Sequence, residues 1–384
     1  MRLETILVHA GAEPDPATGA VAAPIHLSTT FVHTPDGQAT HGHIYIRDSN
    51  PTQDRLETAL AAAEGGAAAV VFASGMAAVA TFLQTLEPGS HVLSHTDVYT
   101  HTRVIGQDFL RRWHCSASYV NMMDLGRLRE AMQPDTKVVW LESPSNPGMD
   151  VIDIAAVAEI AHSAGAQLVV DSTFATPILQ QPLALGADLV MHSMTKYFGG
   201  HSDVQGGVLV FKEAGEQVSR TLYTRKIMGC VLSPFNAWQI LRGLRSLSCR
   251  IERHTANALA VARFLENHPC VERVHYSGLP SHPGHEIAKK QMRGFGGMLS
   301  FQVKGGREAA LRVASRLQLF LNATSLGGVE SVIEHRQSID GTTSVTPDNL
   351  LRGSVGLESA EDLIEDLAQA LGEGQRAVAE NGSP

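Results

Sequence analysis

Short apolar runs alternate with segments of helical periodicity through the first two thirds of the chain. Ala68–Phe72, 137–142, Gln167–Asp171 and 188–193 each hold three or more consecutive apolar residues, as in Val138, Val139, Trp140 and Leu141. Runs of this length bounded by turn residues read as buried strands rather than helices. Between them lie helical patterns. Asn50, Pro51 and Thr52 open one whose Leu56, Leu60 and Ala63 share a face, and Ser74-Gly75-Met76 leads into a second that reaches about residue 86. A third, at 153–164, carries Ile154, Val157, Ile160 and Ala161 on its apolar side. Strands alternating with helices predict an α/β fold with a mainly parallel sheet flanked by helices.

The texture differs at both ends. Residues 1–50 are rich in Pro, Gly, Thr and His with little periodicity, and read as an extended arm laid over another surface, such as a neighbouring subunit. The α/β pattern occupies 51–243. From 244 to 384 a helix at 252–267, strand-like runs at 271–274 and 296–303, and an amphipathic helix at 361–371 predict a smaller α+β domain. No internal repeat is visible. At 384 residues the chain exceeds one ordinary core, which agrees with two domains or one large α/β unit.

Composition narrows the function. With 43% hydrophobic and 18% charged residues the chain is that of a folded soluble protein. A formal charge of −9 and the lack of any Lys/Arg run argue against a nucleic-acid partner. The stretch 67–83 is alanine-rich and broken by Ser74-Gly75, so it reads as strand, turn and helix rather than a membrane span. Met1 to Thr5 show no secretory pattern, and Cys115, Cys230, Cys249 and Cys270 form no Cys-x-x-Cys. Reduced thiols and a cytoplasmic location are expected.

Candidate chemistry concentrates where the run 188–193 meets Ser193, Thr195 and Lys196, followed by Gly199 and Gly200. The end of a parallel strand is where open α/β sheets place ligands. Two hydroxyls beside a lysine suit a phosphorylated ligand with a carbonyl that the lysine can attack, and pyridoxal phosphate (PLP) is that combination. Taken alone, a lysine after a strand is more simply a surface residue, but it has company. Ser74-Gly75-Met76 puts backbone N–H groups at a helix start, which favours phosphate. Asp171 ends an apolar strand, where a carboxylate either caps a helix or pairs with something buried, such as a pyridine nitrogen. Tyr99, beside Thr100, His101 and Thr102, offers a flat ring and a hydroxyl able to relay protons. His41/His43 and His282/His285 lack helical i, i+4 spacing and a completing ligand, so no metal is expected. Neither a P-loop, a Gly-x-Gly-x-x-Gly fingerprint nor a Gly-x-Ser-x-Gly elbow is present.

With these residues in place, further ordered motifs at 5–11, 24–31, 45–52, 142–147, 325–331 and 351–358 give a resemblance covering nearly the whole chain. The chain resembles the Cys/Met-metabolism family of PLP enzymes, which includes cystathionine γ-synthases, γ-lyases, β-lyases and methionine γ-lyases. The resemblance implies the fold-type I PLP-dependent transferase architecture. It implies Lys196 as the covalent anchor of PLP, Asp171 as partner of the ring nitrogen, and Gly75, Met76, Ser193 and Thr195 as phosphate ligands. Tyr45 and Arg47 would reach the phosphate of a neighbouring subunit, making a homodimer the active unit, within a homotetramer. Tyr99 would stack on the ring, while Asn146, Ser325 and Arg352 would hold the substrate carboxylate, a task suited to the forked guanidinium. Lys196 and Tyr99 would carry protons.

Four departures from the family pattern concern substrate rather than cofactor. Thr324 stands where Glu or Tyr is usual, and 334–341 replaces a Glu-His-Pro…Met-Thr-His segment. Tyr99 to Thr102 replaces a Tyr-Gly-Gly-Thr pattern, and Ser172 an Asn. Leu326, where β-lyases often carry Trp, favours chemistry at the γ-carbon of a γ-substituted amino acid. A C–S β-lyase is the nearest alternative, then a non-catalytic PLP-binding regulator and a plain aminotransferase.

Overall fold

A computed structural model describes residues 1–341 and 346–372. Its larger sheet comprises β1 (Ala68–Phe72), β2 (His91–His95), β3 (Ser116–Val120), β4 (Thr136–Glu142), β5 (Gln167–Asp171), β6 (Leu189–Ser193) and β7 (Gly207–Phe211). The order across the sheet is β1-β7-β6-β5-β4-β2-β3. Neighbours from β6 to β3 are parallel, and β7 runs antiparallel to both β1 and β6. The fold is thus α/β with a mainly parallel sheet, as expected. Strands β1 and β5 have the boundaries expected of them, and β4 and β6 begin one residue away.

Apolar strands form here because helices cover both faces, so Val70, Val71, Val138, Val139, Val169 and Val170 are fully buried. The helices start where short polar side chains cap them. The Asn50 side chain accepts from the Thr52 N–H ahead of Pro51–Glu64, and Ser74 Oγ accepts from Ala77 ahead of Gly75–Gln84. Asp153 caps Ile154–Ser163 in the same way and is not its first turn.

Strands β2, β3 and β7 were not among the expected elements. In β2 every residue is buried although His91, Ser94 and His95 are polar. His91 is satisfied by contacts distant in sequence, at 2.8 Å to both Thr136 Oγ1 and Ser118 Oγ.

The smaller sheet contains β8 (Val271–His275), β9 (Met298–Val303), β10 (Leu321–Asn322), β11 (Val332–His335) and β12 (Leu350–Ser354), in the order β10-β11-β12-β9-β8. Antiparallel pairing sets Glu334 of β11 opposite Arg352 of β12. The helix Leu247–Glu266 begins earlier than its expected 252–267 and joins two cores. Leu247 and Ile251 belong to the core of the large sheet, whereas Ala258, Val261, Ala262 and Leu265 belong to that of the small one.

Within residues 1–50, Leu3–His9 form a helix whose Leu3 and Leu7 are buried against the first core. The rest of this segment is held by turns and two isolated bridges, Thr30 with Tyr45 and His33 with Ala39. It leaves Val21, Leu27 and Val32 largely exposed. No helix of the described residues is long and apolar enough to cross a membrane.

Candidate active site

A cavity of about 580 Å³ opens where β4, β5 and β6 end in Glu142, Asp171 and Ser193. The structure brings ten of the twelve anticipated residues to its wall: Gly75, Met76, Tyr99, Asn146, Asp171, Ser193, Thr195, Lys196, Ser325 and Arg352. Tyr45 and Arg47 are not among them. They lie exposed on the N-terminal segment, with the Arg47 guanidinium 5.2 Å from the Tyr45 ring centre.

One end of the cavity is built for an anion. Ser74 caps the helix Gly75–Gln84 and takes up the Ala77 N–H, leaving the N–H groups of Gly75 and Met76 at the positive end of the helix. A Cβ on Gly75 would lie 3.0 Å from the Ser193 Cβ, so glycine lets this turn approach β6. Behind it Gly207 is packed still closer, where a Cβ would sit 2.2 Å from the Ser74 carbonyl oxygen. Ser193 Oγ has no partner among the described residues, and Thr195 Oγ1 is held by Gly206 at 3.2–3.3 Å.

Asp171 forms the floor. Its Oδ1 accepts from the Thr173 N–H at 3.0 Å and the Thr173 hydroxyl at 2.6 Å. No basic side chain bonds to it among the described residues. Burial raises its pKa, with the Thr173 bonds and the charge of His192 acting against that. A buried carboxylate of this kind gains from a cationic N–H donor. Glu142, on the neighbouring strand, is pushed well above the usual carboxylate range by burial and by the Asp171 charge. Its Oε2 accepts the Tyr99 N–H at 2.8 Å, which fixes the start of the helix Thr100–Val104.

Lys196 and Tyr99 face the same space. Lys196 Nζ donates to Ser325 Oγ at 2.7 Å, so a bond joins the large-sheet core to the segment before β11. Burial, reinforced by Arg352, lowers the Lys196 pKa from 10.5 to about 8. Tyr99 moves the other way: burial raises its pKa, and its hydroxyl lies 2.8 Å from His101 Nδ1.

The far wall is a chain of ion pairs in which the sequence named Arg352, Asn146 and Ser325, while Glu334, Arg336 and Asp340 stood only as part of a divergent segment. Arg352 donates from Nη1 to Asn146 Oδ1 at 2.8 Å and from Nη2 to the Ser325 carbonyl at 3.1 Å, and also bonds Glu334. Arg336 donates to the same Glu334 oxygen at 2.8 Å and to Asp340 Oδ1 at 2.6 Å. Asp340 in turn accepts from Thr100 Oγ1 at 3.1 Å. Glu142 and Thr173, like Glu334, Arg336 and Asp340, were not singled out from the sequence as site residues. Only their position at strand ends or inside the divergent segment could have flagged them.

This arrangement fits PLP. The helix start with Ser193 and Thr195 matches a phosphate, Asp171 a protonated ring nitrogen, and Lys196, with its lowered pKa, an aldehyde carbon. Comparisons with known proteins agree. Residues 4–372 match the family described as Cys/Met metabolism PLP-dependent enzyme. Cystathionine gamma-synthase of Mycobacterium tuberculosis is 47% identical over 374 residues, spanning 96% of both chains. Cystathionine beta-lyase of Coxiella burnetii is 44% identical over 383 residues, covering 96% of this chain and 97% of that protein. The crystal structure of cystathionine gamma-lyase from Lactobacillus plantarum complexed with L-serine superposes with a TM-score of 0.92 at 36% identity, covering 97% of this chain and 99% of that one. A PLP-shaped site at the end of a mainly parallel sheet and similarity along nearly the full length lead to one conclusion: the chain belongs to the Cys/Met metabolism PLP-dependent enzymes.

Proposed function

We propose that this enzyme catalyses elimination or replacement at the γ-carbon of a γ-substituted amino acid such as cystathionine or an acylated homoserine. The observation that carries this reading is Leu326, which lines the cavity beside Ser325. An aliphatic side chain there leaves room for one more substrate carbon than a broad aromatic ring would.

Bound PLP supplies an electron sink that makes the substrate's Cα–H and then Cβ–H bonds acidic. The residues of the chain supply position and protons. Arg352, steadied by Asn146, is placed to hold the α-carboxylate through a charge-assisted bond. Lys196, whose pKa burial and the Arg352 charge lower to about 8 in the chain itself, would be the group that takes up and returns the substrate's protons near neutral pH. Tyr99, whose pKa is raised, keeps its proton and serves as a donor to a departing sulfur. Asp171 would pair with a protonated ring nitrogen, which would favour its carboxylate form against the burial that raises its pKa. Ser325 Oγ accepts from Lys196 Nζ and limits where the free amine can swing.

The 44% identity to a cystathionine beta-lyase favours a second reading, cleavage at the β-carbon. Incubation with L-cystathionine separates the two. Release of 2-oxobutyrate and cysteine marks the γ-reaction, whereas pyruvate and homocysteine mark the β-reaction and reject the proposal. Supply of O-acetyl-L-homoserine with cysteine, followed by detection of cystathionine, tests replacement in the same series.

A further inference from the structure

The turn that carries Lys196 is held by a side chain outside the cavity. Arg250, His254 and Asn257 follow at i, i+4 and i+7 along the helix Leu247–Glu266, so they share one face, and all three are buried although polar. Arg250 reaches back toward the large sheet. Its Nη1 donates to the Tyr197 carbonyl at 2.7 Å, its Nη2 to the Gly243 carbonyl at 2.8 Å, and its Nε to Ser246 Oγ at 3.2 Å. No carboxylate bonds it among the described residues. A buried cation without a counter-charge is costly, and an apolar side chain of similar volume would serve stability as well. What the guanidinium adds is a rigid fork that fixes two carbonyls from separate elements at once. The backbone is shaped to receive it. The Gly200 N–H donates to the Lys196 carbonyl at 2.8 Å with φ at +74°, and a Cβ on Gly200 would lie 2.2 Å from Arg250 Nη1. One turn along the helix, the His254 ring stands edge-on to the Tyr197 ring with centres 5.2 Å apart. His254 Nδ1 donates to the Val355 carbonyl at 2.6 Å, just past the strand β12 that carries Arg352.

We infer that Arg250 is a positioning residue for the covalent lysine: by gripping the Tyr197 carbonyl it sets where the Lys196 amine meets PLP. This rests on Lys196 as the PLP anchor and holds whichever substrate carbon reacts. The peptide carbonyl that Arg250 holds belongs to the residue next to Lys196, so a shift of that carbonyl turns the lysine side chain at its root. The Lys196–Ser325 bond at the other end cannot correct such a turn, because it is made by the flexible tip. Arg352 is held separately, through Asn146 and the Ser325 carbonyl, so substrate carboxylate binding does not depend on the Arg250 grip.

The test compares Arg250→Met, Arg250→Lys and Val261→Ala with the wild type. Val261 is buried in the small-sheet core on the same helix and serves as a purely structural control. One readout is the rate at which cofactor-free protein takes up PLP, followed by absorbance; the other is keto-acid release from L-cystathionine per PLP bound. The Met variant should take up PLP about tenfold more slowly and lose about 100-fold in kcat, with KM within about threefold, as when a reacting group is displaced by an ångström. The Lys variant keeps the charge and can bond one carbonyl, so it should fall between, and it decides alone if the Met variant does not fold. Val261→Ala should melt earlier yet keep both rates. PLP uptake at the wild-type rate in the Arg250 variants that fold would overturn the inference. So would equal losses in Val261→Ala, or a loss expressed in KM instead of kcat. PLP uptake needs no substrate, so it decides even where cystathionine is not turned over. A covalent PLP link that survives Lys196→Ala would reject the anchor itself, and the inference with it.

Discussion

Lys196 shows how burial sets the working range of a single amine. Desolvation and the nearby Arg352 charge disfavour its ammonium form and lower the pKa from 10.5 to about 8. The neutral amine is the form that attacks an aldehyde, so in cofactor-free protein the rate of PLP uptake should rise about tenfold per pH unit below pH 8 and level off above it. Stopped-flow absorbance across pH 6–10 checks this, and a rate still climbing at pH 10 would contradict it. The sign follows for stability as well. A lysine with a depressed folded-state pKa is protonated only in the unfolded chain between pH 8 and 10.5, so its contribution to stability grows as pH rises through that window. At this scale the residues that line the cavity were legible because their types are those a PLP site calls for: a nucleophilic amine, hydroxyls and a carboxylate at strand ends. Glu142 and Glu334 were not, since their roles depend on neighbours on adjacent strands. Asp171 lies opposite Glu142, and Arg352 opposite Glu334.

Among the elements, helices and central strands could be read where local pattern and tertiary environment agree. Val70, Val71 and Phe72 are consecutive, apolar and fully buried, and β1 was located residue for residue. β2 escaped because three of its five residues are polar, and the bonds that let His91 be buried run to Thr136 and Ser118, far along the chain, which periodicity cannot express. β7 offered a signal, a five-residue apolar run starting at Gly207, but no separate helix precedes it because it inserts antiparallel between β1 and β6. Its first residue matters most. Gly207 packs against the Ser74 carbonyl so closely that an added methyl must displace the turn preceding Gly75. Gly207→Ala should therefore cost about 1–3 kcal/mol of stability, typical of overpacking. The more telling effect expected is weaker retention of PLP, read by dialysis and absorbance, because the moved turn carries the Gly75 and Met76 N–H groups proposed to meet the phosphate. A variant that melts earlier yet keeps PLP with unchanged affinity would show that the turn and the phosphate site are uncoupled.

For the whole molecule, the N-terminal segment is the part that one chain does not explain. Val21, Leu27 and Val32 are 68–80% exposed, and Tyr45 and Arg47 stay outside the cavity of their own chain. We propose that this segment lies on a second copy, with Tyr45 and Arg47 completing that copy's phosphate site. Removal of residues 20–47, which spares the core-packed helix Leu3–His9, should then shift the sedimentation of the holoenzyme toward the monomer and speed PLP loss. A truncated chain that sediments like the full one would reject the arrangement. Sequence texture alone singled out this region, through its Pro, Gly and His content; which surface it covers depends on the assembly.

The short helix Arg336–Asp340 has a consequence for how such a catalyst can diverge. It contributes Arg336, Ile339 and Asp340 to the cavity, while Gly75, Asp171 and Ser193, proposed to meet the cofactor, sit on a helix and two strands of the large-sheet layer. Substitutions at Ile339 and Thr324, which line the cavity outside the ion-pair chain, are therefore expected to alter the substrate range while the large sheet stays intact. A library that varies Ile339 and Thr324 and keeps the buried Arg336–Asp340 pair should therefore yield mostly folded, coloured proteins with altered substrate ranges.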